Sequence, residues 1–390
     1  MQTQFDRRSF IASLAAVGIS ACTRRPSPPF PELRAAGSAG DLGFAQGRAF
    51  ATKIRANLDF YLDWLSLEGA FPPERLLELA RGFARPLETR FPDMLEEIDG
   101  VARGAGLSLD QVLLINARTD IMAAVRREST LASIPACTGL ALRGRVNGEP
   151  ALALAQNWDW DPVLADAPVV LRLQPSHGPA IVTLVEAGMI GKIGFNEHRL
   201  GVCLNFLSHL EDGQPGRFGV PIHCLLRAVL NCAEIGEAVA AVETSPRSAS
   251  ANFLLARYAD GEPEAVDLEI SPDAVVSLTA EGGDLIHTNH YLDPELAVGC
   301  TSGRGPSTMN RMARAEALAA ELGPTVPDPV RRAQTILESR ADLPYPISRH
   351  HNPDPSSSTL AGIIMDLTRN RFILTGGAPH LNTWVDLPGV

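Results

Sequence analysis

Apolar residues recur at three- and four-residue steps through Ala49, Ile54, Leu58, Tyr61, Leu62 and Leu65, the period of an amphipathic helix. Pro72-Pro73-Glu74 and Phe91-Pro92-Asp93 place proline where helices begin. Ser108-Leu109-Asp110-Gln111 reads as a helix cap ahead of Val112 to Ala117. Residues 41 to about 121 are therefore predicted helical. After Cys137 the period drops to two. Thr138 to Leu142 and Pro150 to Trp158 read as strands joined by a turn at Val146-Asn147-Gly148. Val169–Leu173 with Ala180–Glu186, and Lys192–Phe195 with Leu200–Phe206, are two further hairpins. Pro221 to Val242 is predicted helical. Asn252–Tyr258, Glu264–Ile270 and Val275–Leu278 return to strand. Arg311–Leu322 and Val330–Arg340 are helical, and a hairpin of Leu360–Leu367 with Arg371–Thr375 closes the chain.

Hairpins predict mainly antiparallel sheets. Strand blocks interrupted by helix blocks predict two packed sheets with helices outside. The expected class is α+β, a four-layer αββα sandwich preceded by a helix-rich arm. The chain has 390 residues, 45% of them hydrophobic, enough for one large domain or two small ones. Its net charge of -11 and lack of a basic stripe exclude nucleic acid as the expected partner.

The first residues read as a targeting segment. Asp6-Arg7-Arg8-Ser9-Phe10-Ile11 is a twin-arginine start, followed by a short apolar run from Ile11 to Ile19. Ile19-Ser20-Ala21-Cys22 has the shape of a lipobox, so Cys22 is either a lipidated first residue or is discarded by ordinary cleavage. Both readings imply export, to the periplasm or to a lipid anchor on the envelope. The signal would occupy 1–22, and a Pro-rich tether 23–40.

The cysteines are Cys22, Cys137, Cys203, Cys224, Cys232 and Cys300, with no CxxC pair among them. Cys137 stands where helices give way to strands, between Ala136 and Thr138. It is either a packed small hydrophobe or a nucleophile. Strand residues Ala151 to Ala155 lead into Gln156-Asn157-Trp158-Asp159-Trp160, which sets a carboxylate between two indoles near the same sheet end. Asn196, Asn205, Asn252 and Asn289 fall at strand ends, as turn amides or as donors to an oxyanion. His287 and His290 lie in a stretch read as a loop and lack an acidic third ligand, so no metal and no cofactor is expected. His350-His351 reads as a polar loop. Ser307-Thr308 with Arg311 and Arg314 is a helix start or a carboxylate-binding corner.

Several stretches, taken in order, carry a resemblance: Gly43-x-x-x-Gly47, Asn116-Ala117-Arg118-Thr119-Asp120, Ala136-Cys137-Thr138, Gln156 to Trp160, Glu186-Ala187-Gly188 through Gly191 to Asn196, Gly201 to Asn205, His287 to His290, Asn310-Arg311, and Thr359-Leu360 through Asp366-Leu367. The sequence resembles the isopenicillin-N/acyl-coenzyme A acyltransferase family of autoproteolytic N-terminal-nucleophile (Ntn) hydrolases. The resemblance implies self-cleavage between Ala136 and Cys137. Residues 41–136 would become one chain and 137–390, the catalytic core, its partner. It implies Cys137, Asp159, Asn205, Asn252 and Arg311 as the catalytic set, with Asn252 at the oxyanion hole. Trp158, Thr308 and Arg118 would face the substrate or hold the precursor in a cleavable shape.

The expected activity is cleavage of a linear amide in a small N-acylated compound through an acyl-Cys137 thioester, by a hydrolase or an acyltransferase. The rivals are an uncut amidase with a Cys137–His pair and an exported, inactive binding protein.

Overall fold

The computed structural model describes residues 28–69, 71–128, 136–280, 282–301, 305–341, 343–350 and 357–390. The described chain enters through β1 (Glu32–Gly37), then α1 (Ala39–Gly69), α2 (Pro73–Gly82), α3 (Ala84–Arg90), α4 (Pro92–Ala105), α5 (Leu109–Asn116) and α6 (Arg118–Glu128). Strands follow: β2 (Ala136–Val146), β3 (Glu149–Trp160), β4 (Pro168–Pro175), β5 (Ile181–Glu186), β6 (Ile193–Asn196) and β7 (Leu200–Phe206). Helices α7 (Ile222–Leu230) and α8 (Ile235–Glu243) precede β8 (Ala251–Ala259), β9 (Glu262–Ile270), β10 (Val275–Leu278) and β11 (Leu285–His287). The chain ends with α9 (Pro294–Val298), α10 (Pro306–Leu322), α11 (Pro329–Leu337), β12 (Ser358–Asp366), β13 (Arg371–Gly376) and β14 (Val385–Pro388).

Two sheets form, one of eight strands in the order β1-β4-β5-β6-β7-β8-β9-β10 and one of six in the order β11-β2-β3-β12-β13-β14. They pack face to face where β2 meets β7 and β3 meets β8. Helices α1, α7 and α8 cover the larger sheet, and α10 and α11 the smaller. This is the expected αββα layering. Strand alternation splits the smaller sheet between two cores. Cys137, Ala141, Leu154 and Trp158 face the inter-sheet core, while Leu140, Leu142, Ala153 and Ala155 face α10 and α11. Burial on both faces explains the continuous apolar run of β3.

Several local signals act as read. Ser108 and Gln111 form a reciprocal capping box at α5. Asn147 and Gly148 both hold positive φ, 54° and 89°, which a two-residue hairpin turn requires. Three readings change. The tether ends before residue 40, because Glu32–Gly37 lies parallel beside β4, anchored by Glu32 to Arg172 at 2.9 Å. This parallel edge pair joins a sheet that is otherwise antiparallel, in keeping with the mainly antiparallel expectation. The helix expected over Pro221–Val242 is two helices, since α7 stops at its cap, Asn231. His287 ends a short strand beside β2 rather than lying in a loop. The twin-arginine segment and Cys22 lie outside the described residues.

The Gly43-x-x-x-Gly47 stretch has a packing reason. An added Cβ at Gly43 would meet the Glu97 carbonyl oxygen at 1.9 Å, and one at Gly47 the Val101 oxygen at 2.3 Å. Gly100 and Gly104 answer from α4, so the two helices cross with their backbones in contact. Gly43→Ala is expected to lower stability by about 1–3 kcal/mol, because the helices must separate. Gly236→Ala in α8, where a Cβ meets nothing within 4 Å, should leave stability equal or slightly raised. Thermal melting of the two variants side by side checks this.

Candidate active site

Cys137 is the second residue of β2 and is buried. The register sets it opposite Trp158, with Ala136 opposite Asp159. The peptide between Ala136 and Cys137 therefore sits at the head of the strand, at the edge of the inter-sheet core. Its nitrogen, on Cys137, donates to Asn289 Oδ1 at 2.8 Å. The Cys137 carbonyl accepts from Arg311 Nη1, which also donates to Thr138 Oγ1 at 3.1 Å. Arg311 Nη2 donates to the same Asn289 Oδ1 at 2.9 Å. On its other side, Asn289 Nδ2 donates to the Phe206 carbonyl at 3.0 Å, and its backbone N–H to Thr308 Oγ1 at 2.8 Å. These partners fix which way the Asn289 amide points.

Asp159 is fully buried. It accepts from Thr359 Oγ1 at 2.6 Å and lies 3.3 Å from Arg349 Nε. Burial raises its carboxyl, with Arg349 and Arg311 opposing. Burial also pushes the Cys137 thiol up to about 11, and the charge of Asp159 adds to this. A backbone hydrogen bond from Asp159, with Lys192 and Arg311, pulls the other way. In the uncut chain the thiol is thus held neutral, and a base beside it is needed for attack.

Asn205 lies across Gly139, where an added Cβ would come within 3.0 Å of its Nδ2. It donates to Asn252 Oδ1 at 2.7 Å. Asn252 in turn gives its own Nδ2 to Asp267 and to the Leu268 carbonyl. In the uncut chain the Asn252 amide N–H is thus committed, and its oxygen orients Asn205. The Asn205 Oδ1 has no partner among the described residues. Gln156 ties the sheets together by exchanging hydrogen bonds with the Leu204 backbone.

The residues expected to face substrate each have partners within the fold. Thr308 holds Asn289. Arg118 is buried, 2.7 Å from Glu186 and stacked over Tyr61 and Trp160. Trp158 covers the ammonium of Lys192, which lies 3.1 Å from its ring centroid. For the Cys137–His rival, His287 has both ring nitrogens engaged, with Glu269 and with the Thr288 carbonyl, each at 2.8 Å. His290 Nδ1 meets Thr308 Oγ1 at 2.9 Å. The described residues contain no group of three or more His, Cys, Asp or Glu able to hold a metal.

Sequence reading quoted Glu186, Lys192 and Thr359 only within matched stretches and gave them no role, passed over Arg349, and gave Asn289 no special place. A lysine and a glutamate inside strand stretches predicted to be buried were the available signal, since buried charges are paired or functional.

A family model described as acyl-coenzyme A:6-aminopenicillanic acid acyl-transferase matches residues 146–380. The chain belongs to this family. The matched span contains Asp159, Asn205, Asn289, Thr308 and Arg311, with Cys137 just upstream. The chain is accordingly an enzyme of the acyltransferase and amide-hydrolase kind, acting on carbon–nitrogen bonds. The acyl-coenzyme A:6-aminopenicillanic-acid-acyltransferase 40 kDa form of Emericella nidulans is 26% identical over 350 residues, spanning 88% of this chain and 92% of the relative. Among solved structures, a variant of conjugated bile acid hydrolase from Clostridium perfringens aligns at 14% identity and TM-score 0.41, over 62% of this chain and 89% of its own. The N-acylethanolamine-hydrolyzing acid amidase ortholog of Caenorhabditis elegans aligns at 16% and 0.42, over 59% and 93%. Penicillin V acylase from Agrobacterium tumefaciens aligns at 18% and 0.40, over 62% and 83%.

Proposed function

We propose that the chain is an exported, self-cleaving amidohydrolase or acyltransferase that opens a linear amide in a small N-acylated compound through an acyl-Cys137 thioester. The observation that carries this reading is the geometry around one peptide. The Ala136–Cys137 bond lies at the head of β2, its nitrogen held by Asn289, the following carbonyl held by Arg311, and Asp159 directly opposite.

Self-cleavage begins with attack of Cys137 Sγ on the Ala136 carbonyl carbon. The C–N bond breaks, the nitrogen takes a proton, and a thioester joins Ala136 to sulfur. Water then hydrolyses the thioester, leaving an Ala136 carboxylate, a free thiol and a free α-amine on Cys137. That amine, with a reference pKa of about 7.7–8.0, is the base that the buried thiol lacks before the cut. Asn289 Oδ1 already faces this nitrogen and keeps it aimed. In turnover the amine takes the thiol proton, sulfur attacks the substrate carbonyl, and the proton passes to the departing amine. Water, or another amine in the transferase case, accepts the acyl group.

A cavity of about 560 Å³ bounded by Phe206, Ser208, His209 and Arg126 adjoins the strand end that carries Asn205, a size suited to a small amide. The twin-arginine start supports export, with Cys22 either a lipid tether or discarded by ordinary cleavage. Export argues against acyl-coenzyme A as donor and favours water as acceptor.

The test is the intact mass of the purified protein under denaturing conditions. Two chains, the second beginning at Cys137, are expected. A single unbroken chain that turns over amides would replace this reading with the uncut amidase. A single chain whose Cys137 resists active-site electrophiles would leave the inactive binding protein.

A further inference from the structure

One cluster beside the nucleophile has no role in the steps above. Glu186 Oε1 accepts from Arg118 Nη2 at 2.7 Å and from Lys192 Nζ at 2.8 Å. Its Oε2 accepts from the Tyr61 hydroxyl, which itself accepts from Trp160 Nε1 at 3.1 Å. All these side chains are buried. Two cations share one carboxylate, so the cluster carries a net positive charge inside the protein. A charge of this kind is costly to bury and adds nothing to packing that apolar side chains would not supply.

The position of the charge is specific. Lys192 Nζ sits against the face of Trp158, 3.1 Å from the ring centroid. Trp158 is the cross-strand partner of Cys137, and paired residues present side chains on the same face of a sheet. Lys192 and Arg118 each act electrostatically on Cys137. Cys137 is also faced by Asp159 on β3, which raises the thiol, and by Arg311 on α10, which lowers it; the groups facing the cluster itself do not cancel its charge. His223 on α7 meets Thr119 at 3.3 Å, and burial followed by the nearby cations holds it neutral. Arg227 on α7 is closed off in its own pair with Glu97 at 2.9 Å.

We propose that Lys192 is a positioning residue for the reaction: with Arg118 and Glu186 it places one uncompensated positive charge behind Trp158, and this charge holds Cys137 in its reactive state. A cation there favours the thiolate over the thiol. It also disfavours protonation of the α-amine, which keeps the base available. Burial brings the Lys192 ammonium down to about 7, but a thiolate on Cys137 raises it, so the cation and the thiolate are retained together. The inference rests on Cys137 being the nucleophile.

The experiment follows alkylation of Cys137 by iodoacetamide against pH in the processed protein, read by peptide mass so that the other thiols do not interfere. It needs no substrate. Lys192→Met makes the cluster neutral, and the midpoint for Cys137 is expected to rise by about one unit or more. The double variant Lys192→Met/Glu186→Gln leaves Arg118 as the single charge and should return the midpoint toward wild type. Lys192→Arg should keep it. A purely structural lysine predicts no rescue by the double variant, and that result overturns the proposal, as does an unmoved midpoint in folded Lys192→Met. If Lys192→Met fails to fold, Arg118→Met, which also makes the cluster neutral, must raise the midpoint in its place, and an unmoved midpoint there overturns the proposal. A wild-type Cys137 that does not alkylate at any pH removes the nucleophile, and the proposal with it.

Discussion

Cys137→Ala is expected to leave one uncut chain and to abolish amide turnover, a loss of about 10⁴-fold or more. Both effects have one cause. In the proposed mechanism the sulfur that attacks the Ala136 carbonyl is the sulfur that later carries the acyl group, and the α-amine exists only after the first attack. Removing the thiol therefore removes nucleophile and base together. The fold should survive, because Ala differs from the buried Cys by one atom and the strand register is held by the backbone and by Gln156. Thermal melting close to wild type would confirm that the loss is chemical. Cys137→Ser separates the steps: oxygen can still attack, so slow cleavage with poor turnover is expected. The measurement is denaturing mass spectrometry alongside turnover of an N-acyl amine. Normal processing of the Ala variant would sink the self-cleavage reading, whatever its turnover.

Much of the architecture was legible because period and punctuation agreed. The Asn147-Gly148 turn fixes the β2–β3 hairpin, and that hairpin alone places Asp159 near the head of β2. β1 and β11 were not legible. Each is short and owes its existence to a neighbouring strand edge, β4 for one and β2 for the other, which local pattern does not record. The site divides in the same way. Cys137 and Asp159 were singled out from their place at a strand head and a strand end, and the fold brings those two ends together. The strand-end asparagines were told apart only by the fold, because what an asparagine can do depends on what its amide already holds. Asn252 is committed to Asp267 and the Leu268 carbonyl, while Asn289 turns its oxygen to Cys137. The cluster under Trp158 draws Tyr61 from α1, Arg118 from α6, Glu186 from β5 and Lys192 from the turn before β6, a convergence that only tertiary structure reveals.

Glu186→Gln is expected to be the most destabilising single substitution at this cluster, by about 3–5 kcal/mol. The amide keeps the shape of the carboxylate and can still accept hydrogen bonds, so the loss is electrostatic. Two buried cations, Arg118 and Lys192, would then face each other with no anion between them. Burial pushes Glu186 up, yet these two cations outweigh it and hold its carboxyl far below the ordinary range, which marks how strongly the fold depends on its charge. The deficit should also depend on pH, with a sign that identifies its source. Lys192 titrates lower in the fold than in the unfolded chain, and in Glu186→Gln it would titrate lower still. Between that lower value and about 7, the unfolded chain binds a proton that the folded variant does not, so the variant gains stability as pH rises, while wild type does not yet. The gap between the two proteins is therefore widest in mild acid and levels off above about pH 7. It does not close, because Arg118 cannot shed its proton. Denaturant titrations of both proteins at pH 5.5 and 8, values on either side of about 7, check the prediction. A gap that stays constant across that interval would place the cost in packing rather than in the shared charge. Because Tyr61 and Arg118 precede Cys137 while Glu186 and Lys192 follow it, the same cluster would clamp the two pieces together after a cut. Loss of the upstream piece from processed Glu186→Gln on gel filtration is the corresponding expectation.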